Sequence, residues 1–542
     1  MAEIRRNARQ LMAPARRPWR RGGRLQGMDA RGIQLLLPDG LTASGTADRL
    51  AGLVPVATQS AHSIDRTFWD TFDGRLHGAG LALADAGNRL VLMAATTYAE
   101  QASGDHVRRA RRLLIDDLPP GALRDALAPL LEMRALTPIA RVRSRLLPVN
   151  VLDDVGKIVV RLRAEEPMAL SGGDGKLTLR PRLHVIAVRG YDAEFDLVLK
   201  LLTGDVGLQH APRPILDDAV EALGGTIGGT SSKLRITLDP GDRADAAAAA
   251  ILRRLLDVIA LNLPGTLTDV DSEFLHDLRV AVRRSRALQR ELRGVFAPEP
   301  LRVFRGGFRE LQALTGPTRD LDVQLLEFGE LAAGLTDGAA ADVAPLRRLL
   351  EQRLVAERQK MVRGLRSERT RALLDNWRDF LDGLVAATED DRPDAARPVA
   401  DVAGERIGKV YRQMVGMGRA IDDESPHEAL HDLRKKGKEL RYLLEFFASL
   451  YPTEVVKPMV ATLKGLQDVL GRFQDREVQA DLLRALGNDI ATMEGGAAAL
   501  MAMGVLVERL TEQQEQARAQ FAASFEQFAA KPQRKLVSQT FG

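Results

Sequence analysis

Leu275-His276-Asp277-Leu278-Arg279-Val280-Ala281-Val282-Arg283-Arg284-Ser285-Arg286 is the stretch that decides the fold. Leu275, Leu278 and Val282 recur three and four apart, the spacing of one helix face. His276, Arg279, Arg283, Arg286, Arg290 and Arg293 step by the same threes and fours along a neighbouring face. The stretch then returns, since His431-Asp432-Leu433-Arg434 repeats His276-Asp277-Leu278-Arg279 at an offset of 155 residues. The same offset pairs Arg283 with Lys438, Arg286 with Arg441, Arg302 with Lys457, Arg309 with Lys464, Gly316 with Gly471 and Asp320 with Asp475. One ungapped offset sustained over about fifty residues marks an internal repeat. It predicts two similar helical bundles related by a pseudo-twofold axis.

Like charges three and four apart repel one another on a helix. Too few acids lie nearby to neutralise them, so each copy presents a line of cations suited to a line of anions. Arginine forks bind phosphate oxygens in pairs and lysine adds point charge. The candidate binding residues are therefore His276, Arg279, Arg283, Arg286, Arg290, Arg302 and Arg309 in the first copy. In the second they are His431, Arg434, Lys435, Lys438, Arg441, Lys457 and Lys464. The competing reading is a solvated basic face, or arginines paired internally with acids. Recurrence at matched positions favours binding. Asp320, Asp322 and Asp475 are expected to orient arginines rather than to move protons. His276 and His431 either serve as hydrogen-bonded structural residues or, beside phosphates, gain charge below neutral pH.

His427-Glu428-Ala429-Leu430-His431 matches the zinc-protease pattern H-E-x-x-H. The mate of His427 in the first copy is Ser272, and Arg434 and Lys435 would repel a dication within one turn. Ser425, Pro426 and Glu428 read instead as a helix start, with N-cap, N1 proline and capping-box acid. No metal site and no cofactor are expected.

Working outward, the chain from about 235 to 530 is helical in pattern, with repeat halves near 240–385 and 397–530 and a short tail at 531–542. Residues 29–205 carry strand signals, such as the alternation through Ala140-Arg141-Val142-Arg143-Ser144-Arg145 and from Lys157 to Arg163, followed by a helix from Asp192 to Leu202. Residues 206–234, rich in Gly and Pro, read as a linker. Residues 1–28 hold eight arginines against Glu3 and read as a basic disordered arm, unless translation begins at Met28.

A chain of 542 residues exceeds one hydrophobic core, and 45% apolar with 28% charged residues describes globular domains. The absence of cysteine excludes disulfides, thiolate nucleophiles and Cys-ligated zinc. No apolar run suits a membrane span or a signal peptide, so the cytoplasm is the expected compartment. The net charge is only +4, but residues 276–293 carry +4 and residues 431–441 carry +3. Such concentration is the footprint of an anionic partner.

The duplicated H-x-x-R helix with its basic stripe, together with Thr318-Arg319-Asp320-Leu321-Asp322-Val323, resembles the CHAD family (conserved histidine α-helical domain) over roughly residues 235–530. The second copy departs at Gln474-Asp475-Arg476-Glu477-Val478, where Gln474 replaces Arg319. The resemblance implies two helical bundles around a basic groove that binds inorganic polyphosphate, and association with polyphosphate granules and their proteins. Residues 29–205 resemble a CYTH domain, the antiparallel triphosphate tunnel fold, through Phe68-Trp69-Asp70-Thr71-Phe72-Asp73, Arg75-Leu76 and Gly80-Leu81-Ala82-Leu83. The opening E-x-E-x-K of active members is replaced by Gly32-Ile33-Gln34-Leu35-Leu36. Without those acids a Mg²⁺ ion has no anchor.

The fold class expected is thus α+β in two domains, an antiparallel tunnel-like domain and an all-α repeat. The function expected is non-catalytic polyphosphate binding, with no catalytic residues. Arg141, Arg143, Arg145, Arg161 and Arg163 are candidate secondary phosphate contacts in the tunnel-like part. Two alternatives stand beside it. One is a metal-dependent tri- or polyphosphatase using other acids, such as Glu165 and Glu166. The other is nucleic-acid binding through phosphates, which the 4% aromatic content disfavours for stacked bases.

Overall fold

The computed structural model describes residues 32–541 apart from 88, 108–109, 173–174, 336 and 389. The arm expected at 1–28 lies outside the described residues. The chain divides into two compact units at Ser232/Lys233.

The first unit is built on one antiparallel sheet. Its strands are β1 (Gly32–Leu36), β2 (Val56–Thr58), β3 (His62–Thr71), β4 (Leu81–Asp85), β5 (Arg89–Ala94), β6 (Glu100–Asp105), β7 (Leu136–Leu152), β8 (Ile158–Leu170), β9 (Lys176–Thr178), β10 (Arg182–Ala187) and β11 (Gln209–His210). Their order is β11-β1-β10-β8-β7-β3-β4-β5-β6, with β2 on β7 and β9 on β8. The expected alternation is realised in β7, where Val142, Ser144 and Leu146 are buried while Arg141 and Arg145 are exposed. Helices α1 (Ala43–Ala51) and α2 (Asp192–Gly204) cover one sheet face, packing on Leu35, Val149, Leu162, Leu183 and Val185. The side chains of the opposite face, from β1, β3, β8 and β10, include Gln34, Arg66, Glu165, Arg182 and His184, all buried.

The segment 206–234 departs from the linker expectation. It holds β11, which pairs with β1, and helix α3 (Ile215–Ala222), whose Ile215, Leu216, Ala219 and Val220 join the core with Phe68 and Val142. Its glycines serve close backbone approach rather than mobility. A Cβ on Gly74 would stand 2.0 Å from the Gly228 carbonyl oxygen, and Thr230 N–H donates to the Phe72 carbonyl at 2.8 Å.

The second unit is helical: α4 (Ala244–Thr268), α5 (Ser272–Glu291), α6 (Pro298–Ala332), α7 (Ala344–Leu365), α8 (Glu368–Gly383), α9 (Val399–Arg419), α10 (His427–Phe446), α11 (Thr453–Ala491), α12 (Gly496–Ala519), α13 (Phe521–Phe528) and α14 (Lys531–Phe541), with a short turn of helix at Asp337–Asp342. The repeat in sequence is a repeat in structure. Helices α5 and α10 each span 20 residues and start 155 apart, and the 3₁₀ turns Arg293–Val295 and Ala448–Leu450 keep that offset. Helices α4 and α9 start 155 apart as well, as do α6 and α11. Ala244 N–H donates to the Arg397 carbonyl at 2.9 Å, and Val399 N–H to the Asp242 carbonyl at 2.8 Å. Residues 242 and 244 are the mates of 397 and 399, so these two bonds are one contact seen twice across a pseudo-twofold axis.

The apolar stripe is buried as its spacing predicts. Leu275, Leu278 and Val282 join Leu430, Leu433 and Leu440 in one core running through both halves, with Trp377 and Phe447. A second core gathers Phe328, Leu346, Leu483, Leu486 and Leu506 at the far ends of α6 and α11. The expected tail at 531–542 is instead helix α14, which sends Val537 and Phe541 into the main core, Phe541 against the Tyr451 ring. No described helix is long and apolar enough to cross a membrane.

Candidate anion-binding site

Helix α5 starts on Asp271, whose side chain accepts from the backbone N–H groups of Glu273 and Phe274. Helix α10 starts differently from its expectation. Pro426 is the N-cap residue, and Ser425 lies one residue outside with its hydroxyl donating to Asp422. In the H-E-x-x-H stretch His427 Nδ1 is 2.7 Å from Glu477, and its ring stands edge-on to Phe473. Among the described residues no group of three metal-ligating side chains assembles.

Two ion pairs clamp α5 to α10. Arg284 pairs with Glu445, and Arg290 pairs with Glu439 at 2.9 Å. Residues 284 and 439 are repeat mates, as are 290 and 445, so the axis relates the two bridges with their charges reversed. This clamp brings the stripes together at their middles. Arg283 and Lys438, themselves repeat mates, meet here, and the Lys438 amine feels the charge of Arg283. Burial pushes the Lys438 amine down to about 8, and Arg434 and Arg283 push the same way against Asp475. Arg279 donates to the Gln312 carbonyl and to Thr315 Oγ1, both at 3.1 Å. Its guanidinium is disfavoured by burial, while Asp320 supports it. Arg434 donates to Asp475 at 3.0 Å. Around the axis, Arg279, Arg283, Arg434 and Lys438 are thus answered by Asp320 and Asp475.

Asp475 and Asp322 hold arginines by the ion pairs expected of them. Asp475 bridges Arg434 directly, and Asp320 acts on Arg279, Arg319 and Arg283 by charge. Asp322 holds Arg358 at 3.0 Å, and burial raises its carboxyl to about 6.

Beside the axis, α5 and α6 open a cleft of about 740 Å³ in the first half. Arg286, Arg290, Arg293, Arg302, Arg305 and Arg309 line it, with Asp391 as the one acidic lining residue described. Residues 250–484, which include both stripes and the cleft's arginines, match the family described as the CHAD domain. The chain contains a CHAD domain. Two uncharacterised proteins from strains of Mycobacterium tuberculosis are 24% identical to the chain over 462 residues, covering 82% of it and 86% of each relative. The CHAD domain from the plant Ricinus communis has a crystal structure 24% identical in sequence with a TM-score of 0.46, covering 54% of this chain and 96% of that one. PptA from Streptomyces chartreusis is 17% identical with a TM-score of 0.42, covering 53% of this chain and all of that one.

The expected site residues of the CHAD domain divide into three groups. Arg279, Arg283, Arg434 and Lys438 gather at the axis, with His276 and His431 half-buried one turn earlier on the same helices. Partial burial, then the charge of Lys435, lowers the His431 imidazole from its ordinary value. Arg286, Arg290, Arg302 and Arg309 belong to the cleft. Lys435, Arg441, Lys457 and Lys464 are exposed on the second half, Lys435 bridging Asp432 and Arg441 bridging Glu445. Arg290 works as part of the clamp, and Arg302 bridges Glu299 at 3.0 Å. Arg305, whose repeat mate is Val460, was not among the expected site residues. Its position between Arg302 and Arg309, at steps of three and four, was the available signal.

In the first unit the strand registers set Arg161 and Arg163 on the face of Glu165 and His184, and Arg141, Arg143 and Arg145 on the other. Arg143 is held by both oxygens of Asp65 at 2.6 Å, and Arg145 by Glu166 at 3.1 Å. Glu165 accepts from Arg66 and Ser144 on one oxygen and pairs with His184 Nε2 at 2.6 Å on the other. Glu166, on the opposite face, accepts from Ala43 N–H. The two glutamates therefore do not converge.

Proposed function

We propose that the CHAD domain binds inorganic polyphosphate and does not cleave it, and that the protein works in the cytoplasm at polyphosphate granules. The observation that carries this reading is the meeting of the two stripes at the axis. A fold does not press Arg283 and Lys438 together for stability, because like charges in a partly buried site cost free energy. An ordered row of phosphates would relieve that cost. The clamp of Arg284–Glu445 and Arg290–Glu439 holds the two stripes in register, with four axial cations answered by two acids. The first unit we read as a degenerate tunnel domain of the CYTH kind. Gln34 stands on the buried face of β1 where the family carries an acid, and Glu165 is already saturated by Arg66, Ser144 and His184.

Calorimetric titration of the full chain with long-chain polyphosphate at two salt concentrations tests the reading. Tight binding that weakens steeply with salt is expected, because released counterions drive it. Absence of binding at low salt would sink it.

The pH dependence follows from Lys438. Its folded value near 8 lies below the ordinary 10.5, so between those values the folded chain holds fewer protons than the unfolded chain. Stability of the free protein therefore rises with pH across that window. Polyphosphate prefers the charged amine, so affinity is expected to fall, by up to about tenfold, as pH rises through 8 to 9. Lys438→Arg should flatten the profile. A profile equally steep in that variant would remove Lys438 from the site.

A further inference from the structure

The cleft of the first half differs from the axial surface in that the duplication accounts for only part of its basic lining. The repeat mates of Arg290, Arg293 and Arg305 are Glu445, Ala448 and Val460. Arg286, Arg302 and Arg309 keep basic mates in Arg441, Lys457 and Lys464, so half of the basic lining belongs to this half alone. Arg293, Arg305 and Arg309 have no ion-pair partner among the described residues, and all three are exposed. Burial disfavours the Arg286 guanidinium, and the charges of Arg290, Arg309 and Arg305 add to that.

Gln289 is the second, independent observation. It lines this cleft, is 0% exposed, and neither its Nε2 nor its Oε1 has a hydrogen-bond partner. Its repeat mate is Leu444, 1% exposed in the same structural position. The fold thus accepts an apolar side chain there. An unsatisfied buried amide costs roughly 1–3 kcal/mol, so its presence in this half calls for a partner that arrives from the cleft. Phe296 and Leu301 give the cleft an apolar floor that would exclude water from an anion held by the arginines. Arg302 to Arg309 spans two helical turns, roughly 10 Å, the scale of a few linked phosphoryl groups.

We propose that this cleft is a discrete site for a short run of phosphoryl groups, either a free oligophosphate or the end of a longer chain. Arg293, Arg305 and Arg309 would take its charge, and the Gln289 amide would donate to one oxygen. This assignment rests on the reading of the domain as a polyphosphate binder and adds a place where a chain end is distinguished from its middle.

The test uses the full-length protein, sodium tripolyphosphate and long-chain polyphosphate, with orthophosphate as the single-group control. The parent chain should bind one tripolyphosphate per molecule, far more tightly than orthophosphate. Arg293→Ala with Arg305→Ala should weaken tripolyphosphate at least tenfold and long-chain polymer by less. Gln289→Leu should weaken tripolyphosphate several-fold while leaving the melting temperature equal to or above that of the parent, a pairing that a purely structural role would not produce. Tripolyphosphate affinity unchanged in both variants overturns the proposal. So does binding of long-chain polymer but not of tripolyphosphate, which leaves the polymer reading standing. Failure to bind either ligand overturns both.

Discussion

The combined substitution of Arg279, Arg283, Arg434 and Lys438 by alanine is expected to lower affinity for long-chain polyphosphate by at least about 100-fold, since each charge-assisted hydrogen bond contributes about 1.5–3 kcal/mol. The dependence of log affinity on log salt should flatten by roughly 3 units, at about 0.7 per lost phosphate contact on a single strand. The fold should survive. Arg283 and Lys438 repel one another across the axis, so their removal relieves strain, while Arg279 gives up two hydrogen bonds to Gln312 and Thr315. A melting temperature within about 5 °C of the parent is the expected balance of these small and opposed terms. The clamp residues Arg284, Arg290, Glu439 and Glu445 are left in place so that the two halves keep their register. Unchanged affinity in this folded variant would mean that the axial cations do not touch polymer.

The repeat was legible because duplication writes itself twice. Helices α5 and α10 could be matched as copies from His276-Asp277-Leu278-Arg279 and His431-Asp432-Leu433-Arg434, and their apolar faces at Leu278 and Leu433 are both fully buried. What sequence could not reveal was which cations are free. Arg290 and Arg441 look alike in the stripes, yet Glu439 and Glu445 meet them from a neighbouring helix or the next turn. That distinction is tertiary. Arg143 and Arg145 were offered as phosphate contacts on the same grounds, and Asp65 and Glu166 on the flanking strands hold them. Two segments were misread. Gly228 and Gly229 suggested a linker, whereas the backbone of Gly74 leaves no room for a side chain at that contact. The final dozen residues looked peripheral by position, but Gln533, Val537 and Phe541, four apart on one helix face, are buried.

Glu165→Ala is expected to destabilise the first unit by about 3–5 kcal/mol, the usual cost of removing one member of a buried ion pair. The carboxylate is 1% exposed and serves three groups: Arg66, Ser144 and His184. Without it Arg66, itself buried, keeps a charge with no answer, and two further donors lose their acceptor. Burial alone would raise the Glu165 carboxyl, but Arg66 and the bonds from His184 and Ser144 overcome it and hold the group well below the ordinary range. Its stabilisation is therefore present above the ordinary carboxylate value and is lost only as pH falls through that much lower folded value. His184 sets the acid limit first. Burial depresses its imidazole below 6.5, so the proton on Nε2 is donated to Glu165 by a neutral ring. Below 6.5 the unfolded chain binds a proton that the folded chain refuses, and stability falls as the solution is acidified. Hydrogen exchange of the β7 and β8 amides measures both effects in the full chain. Glu165→Ala should lower their protection at neutral pH, and the parent should lose protection between pH 6.5 and 5, a loss that His184→Gln should reduce. Protection in Glu165→Ala equal to that of the parent would show that the carboxylate is not what neutralises Arg66.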